Sequence, residues 1–289
     1  MKHIRKVFFC VLVTFFIWIG INTYDRLTDG FSIHQMSSSL PSCPQFDLPL
    51  TLEKKEELKA LLDQKFYYVG KGAQFYVFGS EDGEYVIKFL KHKHLRPFTW
   101  LNGIPMPEKL RAVCDAKIMR RKERVERLFS SCKLAYEKMP EETGLFFIHL
   151  NRIPTLETSI TLVDKIGFKH SINVDDYEYF LQKKGISIKE VFANSDANDI
   201  SKRVQQLVDL VLARCNKGIC DQDHAFVQNV VFTLDGEKAI FVDIGQFYED
   251  PSMLKNEEQN RDLSSRLNSL SLWMEQNFPQ FVPLIKEEV

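Results

Sequence analysis

Four oxygen-bearing side chains lie close together in the stretch GICDQDHAFVQNVVFTLDGEKAIFVDIGQF, residues 218–247. Asp243 ends the second of two apolar runs, and a carboxylate at the end of an apolar strand needs a partner or a metal ion. Asn229 precedes the first run, so Asn229 and Asp243 are candidate ligands for Mg²⁺, which prefers carboxylate and carbonyl oxygens. Asp221 and Asp223 are candidate catalytic residues, because a carboxylate near an acceptor hydroxyl can take or orient its proton.

Residues suited to bind phosphate lie upstream, in VGKGAQFYV and VIK. At Gly70 and Gly72 the absence of a Cβ lets backbone N–H groups approach phosphate oxygens closely. Lys88, on a strand, would supply those phosphates with a fixed positive charge. Phosphoryl transfer requires mainly positioning and charge neutralisation from a protein, so these residue types together indicate that chemistry.

The elements that must position these residues follow from the hydrophobic pattern. Apolar runs on both sides of Asp235-Gly236 predict a β-hairpin that brings Asn229 and Asp243 to one end. Aromatic and β-branched residues on both sides of Asp82-Gly83 predict a second hairpin, which carries Lys88. Further strands are predicted at TGLFFIHL, SITLVDKIGFKH and YEYFLQKKG, and helices near residues 51–64, 108–139, 199–217 and 257–278.

The composition limits the class of protein. With 289 residues, of which 44% are hydrophobic and 27% charged, the chain can form one bilobal domain or two small ones. A formal net charge of −1 indicates no nucleic-acid partner. The six cysteines form no CxxC pair and no zinc-type spacing, and a disulfide framework is not expected in a chain of this length.

The N-terminus, MKHIRKVFFCVLVTFFIWIGINTY, has three basic residues followed by a long uncharged run that ends at Asp25. Residues 1–24 are predicted to be an uncleaved membrane anchor or a cleaved signal peptide. An anchor would leave the N-terminus in the cytoplasm and place the rest of a single-pass protein across the membrane. Cleavage would instead leave the protein secreted or lumenal.

The sequence resembles the protein-kinase-like fold, shared by protein kinases and small-molecule kinases, over residues 66–247. GKGAQFYV resembles the G-x-G-x-x-G-x-V loop, VIK the V-A-I-K strand, DQDHAFVQN a catalytic loop and DIG the D-F-G motif. The resemblance implies an α+β fold of two lobes: an antiparallel sheet with a long helix, then a small, mostly helical lobe. The predicted boundaries are a linker at 25–50, an N-lobe at 51–185 and a C-lobe at 186–289.

The resemblance also implies roles for individual residues at the phosphate end of the site. Gly70 and Gly72 belong to the phosphate loop, and Lys88 would hold the phosphates of ATP. Asn229 and Asp243 would bind Mg²⁺.

At the adenine end, the resemblance implies that Val77 and Val86 form the roof of the pocket. Alternation along the strand places Val86 on the same face as Lys88. YEYFLQKKG stands in the position of the interlobe hinge, so the backbone at 181–183 would contact the adenine edge.

The loop regions depart from the family pattern at three points. Phe75 replaces the third glycine, which predicts a phosphate loop that is stiffer or set further back. If Asp223 is the catalytic residue, Asp221 stands where the family has the His of H-x-D. The spacing from Asp223 to Asn229 is one residue longer than in the family, so one residue must bulge, and Asp221 is the alternative for the catalytic role.

The family also pairs its strand Lys with a helix glutamate. Glu123, Glu126 and Glu137 in the predicted long helix are candidates to pair with Lys88, and Glu126 fits best by its distance from the strand GLFFIHL.

Two functions follow from the resemblance. The first is an atypical ATP- and Mg²⁺-dependent phosphotransferase, tethered to a membrane, whose acceptor is a small molecule or a protein. Only 44 residues follow Gly245 and no A-P-E element is present, which favours a compact kinase over an ordinary Ser/Thr protein kinase. The alternative is a membrane-tethered pseudokinase that acts as a binding or scaffold module. Three departures from the kinase pattern favour this alternative: Phe75, the missing His and the lengthened loop.

Overall fold

The protein is described by a computed structural model over residues 2–38, 40–92 and 107–283. Its helices are α1 (Lys2–Leu27), α2 (Ile33–Met36), α3 (Leu52–Leu62), α4 (Glu108–Lys138), α5 (Pro140–Thr143), α6 (Ile188–Ala193), α7 (Ala197–Asn216), α8 (Phe226–Asn229) and α9 (Asn256–Asn277). Its strands are β1 (Lys65–Lys71), β2 (Phe75–Ser80), β3 (Tyr85–Leu90), β4 (Leu145–His149), β5 (Ser159–Val163), β6 (Lys169–Asn173), β7 (Tyr179–Lys183), β8 (Gly185–Ser187), β9 (Ile219–Asp221), β10 (Val230–Thr233), β11 (Ala239–Phe241) and β12 (Phe247–Glu249).

A seven-stranded sheet forms the first half of the molecule, in the order β4-β7-β3-β2-β1-β5-β6. Neighbouring strands are antiparallel except β1 and β5, which are parallel. The predicted hairpin of β2 and β3 is confirmed, and Gly83 in its turn adopts a φ of +80°, a conformation that glycine adopts without strain.

The strands β5 and β6 lie between β4 and β7 in the sequence. They form a hairpin, but the pair crosses to the far side of the sheet and lies along β1, with Lys65 opposite Thr161. This hairpin therefore extends the sheet beyond β1, so that β6 forms one edge of the sheet and β4 forms the other.

Two hydrophobic cores form on the two faces of this sheet. The first packs α3 against the outer face and contains Leu58, Phe66 and Phe78. The second joins the inner face to α4 and to the helical half of the chain, and α4 contributes to it through residues at helical spacing: Val125, Leu128, Phe129, Cys132 and Ala135.

Residues 25–50, predicted as a linker, pack against the body of the molecule. Phe31 and Met36 are buried in the outer core, and Phe46 is buried in the inner core, where its ring contacts that of Phe129 edge-on. The apolar residues scattered through this segment are thus anchoring side chains.

The second half of the chain is mostly helical. The predicted apolar face of α7 is buried, and the chain leaves the helix at Gly218, which has a φ of +67°. Two small sheets, β11-β10-β8 and β12-β9, pack with α7 and α9. A large, mainly antiparallel sheet with a long helix, followed by a mostly helical part, agrees with the predicted α+β class and with its order of a sheet-rich part before a helical part.

The membrane anchor or signal was predicted for residues 1–24, of which Met1 lies outside the described residues. Residues 2–27 form α1. Within the part of the chain that the structure describes, no helix is both long enough and apolar enough to span a bilayer.

Candidate active site

The hairpin of β10 and β11 brings Asn229 and Asp243 together at one end, as its sequence pattern predicts. Val230 pairs with Phe241, and beyond this pair the N–H of Val242 donates to the carbonyl oxygen of Asn229 at 2.8 Å. Asp243 follows directly and is exposed, with its Oδ1 accepting a hydrogen bond from the Gly245 N–H at 3.1 Å. Both candidate metal ligands therefore lie at the same end of a short, rigid hairpin.

Lys88 reaches the same place from the sheet above. Its Nζ donates to the carbonyl oxygen of Val242 at 2.7 Å and lies 5.4 Å from the centre of the Phe180 ring. Burial lowers the pKa of Lys88 to about 8, and the negative charge of Asp243 opposes this effect only in part. The ammonium group is thus placed beside Asp243 and is easily deprotonated for a lysine.

On α4, Cys132 lies near enough to Lys88 for the charge of each group to affect the pKa of the other. Its thiol is buried, and burial raises its pKa well above the ordinary value, so the group is a neutral thiol near Lys88 and Asp243. Among the described residues no ion pair joins Lys88 to a glutamate of α4. Glu126, predicted as that partner, is exposed, because it lies off the face of α4 that packs against the sheet.

The other two candidate glutamates of α4 do not pair with Lys88 either. Glu123 is exposed, and the Glu137 carboxylate lies 3.7 Å from the Lys133 ammonium on the same helix. Among the described residues, none of the three candidate glutamates is therefore paired with Lys88.

The phosphate loop is held by Phe75. The Phe75 ring packs edge-on against Phe180 with 4.8 Å between ring centres, and the Phe75 carbonyl accepts from the Gly72 N–H at 2.9 Å. A Cβ added at Gly70 or at Gly72 would meet no atom within 4 Å, so open space lies beside both glycines. The loop is anchored at its far end by Phe75 and remains accessible at its glycines. A loop that is stiffer or set further back stays a prediction.

The valines predicted as the adenine roof lie on the inner face of the sheet. Val77 on β2 pairs with Lys88 on β3, and Val86 lies two residues before Lys88 on the same face. Val86 is buried and Val77 half-buried.

The hinge prediction needs a correction. The backbone at 181–183 lies in β7, which is paired with β3 on one side and β4 on the other. The Lys183 N–H also donates to the Gly144 carbonyl at 2.8 Å. A strand with both edges paired has no backbone groups left for an adenine edge, so these residues do not form an open hinge.

The two candidate catalytic aspartates lie in different surroundings. Asp221 is buried in β9, its Oδ1 accepts from the Asp223 N–H at 2.9 Å, and burial raises its pKa. Asp223 is half-buried, and its Oδ1 accepts from the Ala225 N–H at 2.8 Å. Asp221 thus shapes the loop from inside, whereas the Asp223 carboxylate belongs to a residue that is partly exposed to solvent.

The additional residue between Asp223 and Asn229 is absorbed by α8, a single helical turn. Asn229 ends this turn, and its N–H donates to the Ala225 carbonyl at 3.1 Å. The predicted bulge is therefore a short helix that delivers Asn229 to the hairpin end.

A buried arginine holds the candidate catalytic loop, and the sequence analysis did not identify this residue. Arg266 on α9 donates through Nη2 to the Asp221 carbonyl at 2.7 Å and through Nη1 to the Asp223 carbonyl. Asp262 lies beside it, accepts from Arg266 Nε at 3.4 Å and also binds Arg214 of α7. The available signal was a charged residue at an apolar position of the predicted terminal helix, flanked at helical spacing by Leu263, Leu267 and Leu270.

A cavity of about 940 Å³ adjoins this site. It lies between the tip of the phosphate loop, the exposed face of α4 and the chain that follows Asp243. Gly245 forms part of its wall, and a Cβ there would lie 3.0 Å from Leu128 Cδ1, so the Leu128 side chain would have to shift slightly to admit it.

No protein-family model and no curated protein matches the sequence. Solved structures are similar only at low identity. The Rv3197–erythromycin complex from Mycobacterium tuberculosis is 13% identical with a TM-score of 0.37, over 96% of this chain and 74% of that chain. The bifunctional kinase-methyltransferase WbdD is 15% identical with a TM-score of 0.34, over 74% of this chain and 42% of that chain. The ADP-bound aminoglycoside phosphotransferase APH(2'')-Ib is 11% identical with a TM-score of 0.28, over 82% of this chain and 96% of that chain.

With all three TM-scores below 0.5, these similarities define neither the substrate nor the mechanism of this chain.

Proposed function

We propose that this chain is a kinase-like phosphotransferase that uses ATP and Mg²⁺ to phosphorylate a hydroxyl-bearing acceptor. One observation carries the proposal, the position of Val242. Its N–H binds the Asn229 carbonyl at 2.8 Å, its carbonyl binds Lys88 Nζ at 2.7 Å, and the next residue is Asp243. Lys88, Asn229 and Asp243, one cation and two candidate oxygen ligands, therefore meet around a single residue.

The residues at the hairpin end fit Mg²⁺. Asp243 offers an exposed carboxylate and Asn229 an amide oxygen, while the described residues contain no group of three or more His, Cys, Asp or Glu that could hold a metal ion. A site with one carboxylate and one amide suits Mg²⁺, which keeps several waters and shares substrate phosphates. When bound there, the ion would neutralise phosphate charge.

Each side chain then has a defined task. The protonated Lys88 binds phosphate oxygens, and the glycines at 70 and 72 let the loop backbone approach them. Asp223 orients the acceptor hydroxyl and takes its proton, since it is the accessible carboxylate of the catalytic loop. Asp221 and Arg266 keep that loop in place from inside the protein.

A pseudokinase is the second candidate, favoured by the neutral Cys132 thiol beside Lys88. Without a helix carboxylate, Lys88 is held by a backbone carbonyl, and one loop N–H, that of Gly72, is engaged by Phe75. These features suit a protein that binds a nucleotide without turning it over.

Thermal unfolding with ATP, with and without Mg²⁺, tests the proposal. At about 100 times the Kd, bound ligand adds about 2.7 kcal/mol, which corresponds to a rise in Tm of about 5–10 °C. We expect this rise to require Mg²⁺ and to be lost in Asp243→Asn, whereas Asp235→Asn, at the far turn of the same hairpin, should keep it.

Phosphoryl transfer, followed as ADP formation, separates the two candidates. ADP formation that Asp223→Asn abolishes supports the phosphotransferase. A rise in Tm without any ADP formation supports the pseudokinase, and no rise with ATP under either condition contradicts both.

A further inference from the structure

A row of basic side chains runs along one face of α4 toward the site. Lys117, Arg120, Arg121 and Arg124 are spaced so that they share one helical face, and together they line a groove of about 300 Å³. Arg124 lines the 940 Å³ cavity as well, so the groove and the cavity adjoin at this side chain.

Two further cations extend this row inside the cavity, Arg127 on α4 and Lys91 after β3. Lys91 is fixed there, because its Nζ donates to the Gly72 carbonyl at 2.5 Å and lies 4.5 Å from the centre of the Tyr76 ring. The basic track comprises these six residues: Lys91, Lys117, Arg120, Arg121, Arg124 and Arg127.

The inner end of the basic track meets the candidate active site. The cavity wall there includes Gly245, two residues after Asp243, and Gln222, which precedes Asp223. Gln74 of the phosphate loop also lines it, and the Gln74 Oε1 atom is buried without a hydrogen-bond partner among the described residues. A molecule in the cavity would thus lie beside both the phosphate end and the catalytic loop.

The charge of this surface is positive. Only two carboxylates line the cavity, Glu126 and Glu249, and the latter is paired with Lys138. The groove is lined by four cationic residues and no carboxylate. An anionic ligand is therefore complementary to the whole length of the track.

We propose that the basic track binds an acidic peptide segment and directs a hydroxyl side chain of that peptide to Asp223. This proposal rests on the proposed phosphotransferase function. From residue 117 to residue 127, α4 rises about 15 Å, the length of about five extended residues. A groove that opens into a cavity suits a peptide chain with a protruding side chain, whereas an anionic bilayer presents a broad surface.

Peptide binding without nucleotide tests this surface separately from the phosphotransferase. The probe is a fluorescent Glu-rich peptide with one Ser, measured by anisotropy at low salt beside a peptide in which Gln replaces Glu. We expect the Glu-rich peptide to bind more tightly, and added salt to weaken it. Replacing two exposed residues of the track, Arg124→Gln with Arg127→Gln, should weaken binding about tenfold.

The matched control removes the same charge from exposed positions that line neither groove nor cavity, Lys122→Gln with Lys189→Gln, and should change the Kd by less than about twofold. Equal effects of the two double variants, or equal binding of both peptides, would overturn the proposal. The proposal would also be overturned if phosphatidylserine vesicles bound the protein through the basic track while the peptide did not bind. Peptide binding that needs the track, in a protein that shows no ATP-dependent rise in Tm, would support this surface while contradicting the phosphotransferase.

Discussion

The two sides of the candidate active site are held in place by different means. On the loop side, the backbone around Asp223 is fixed by Arg266, which is itself held by Asp262 next to Arg214 in a buried ion network. On the lysine side, Lys88 is fixed by one backbone carbonyl, with the neutral Cys132 thiol and the charge of Asp243 nearby. Among the described residues, ion pairs occur beneath the loop, whereas none includes Lys88.

This difference indicates how each side responds to change. A buried ion network leaves uncompensated charges when one member is removed, so the loop side should fail as a unit. On the lysine side, burial shifts the pKa of both Lys88 and its neighbour Cys132, so the charge state of Lys88 should be adjustable by a single substitution at Cys132.

The largest effect is expected from Arg266→Met. This change leaves the Asp221 and Asp223 carbonyls without their donor and the half-buried Asp262 without one of its arginines, so we expect a loss of about 4 kcal/mol in the free energy of unfolding. Urea unfolding measures this loss.

The matched control for this variant is Arg261→Met on the same helix. Arg261 is exposed and pairs with Glu258 at the surface, so its removal should cost less than about 1 kcal/mol. A cost for Arg266→Met that is no larger than the control would mean that the network does not hold the loop.

An intermediate effect is expected from Phe75→Ala. The half-buried Phe75 ring would lose its contact with Phe180, which should lower the free energy of unfolding by about 2 kcal/mol. Because the ring anchors the phosphate loop, amide exchange at 70–74 should also become faster, while exchange in the catalytic loop stays unchanged. Phe75→Leu should retain most of the stability, and unchanged amide exchange in Phe75→Ala would contradict the anchoring role.

The smallest effect, and the most specific, is expected from Cys132→Asp. With Lys88 at a pKa of about 8, the ammonium is lost as pH rises through that value, so affinity for Mg²⁺–ATP should fall between pH 7 and 9. A carboxylate of similar size at Cys132 favours the charged lysine and should move this fall upward by about one pH unit.

Titration of nucleotide binding at a series of pH values checks this expectation, with Cys132→Ser as the control that keeps a neutral group. If the aspartate variant and the serine variant lose affinity at the same pH, Cys132 does not influence Lys88.

Much of the fold was predictable because its signals are local. The turn at Asp82-Gly83, the length of α4 and the apolar face of α7 each follow from residues within one element. The meeting of Asn229 and Asp243 was also predictable, because a single hairpin joins them. The sequence order of Lys88 and the two loops then indicated one site.

Other features depend on contacts between distant segments. That β5 crosses the sheet to pair with β1 is not encoded in either strand alone. The partner of Lys88 was sought among glutamates, although the buried face of α4 has a period of 3.6 residues and Cys132, not Glu126, belongs to it. Arg266 carried a signal, but its contacts with backbone carbonyls depend on how α9 docks.

The crossing of β5 and β6 also bears on solubility. The sequence of β1 begins KFYYV, an aromatic and β-branched run of the kind that pairs with other chains when it forms a free sheet edge. In this fold Lys65–Tyr67 is paired with β5, and the edge passes to β6, whose Lys169, Ser171 and Asn173 are exposed and polar. The hairpin of β5 and β6 therefore covers an aggregation-prone edge and presents a polar edge instead. A polar edge disfavours self-association, and this effect does not involve the candidate active site.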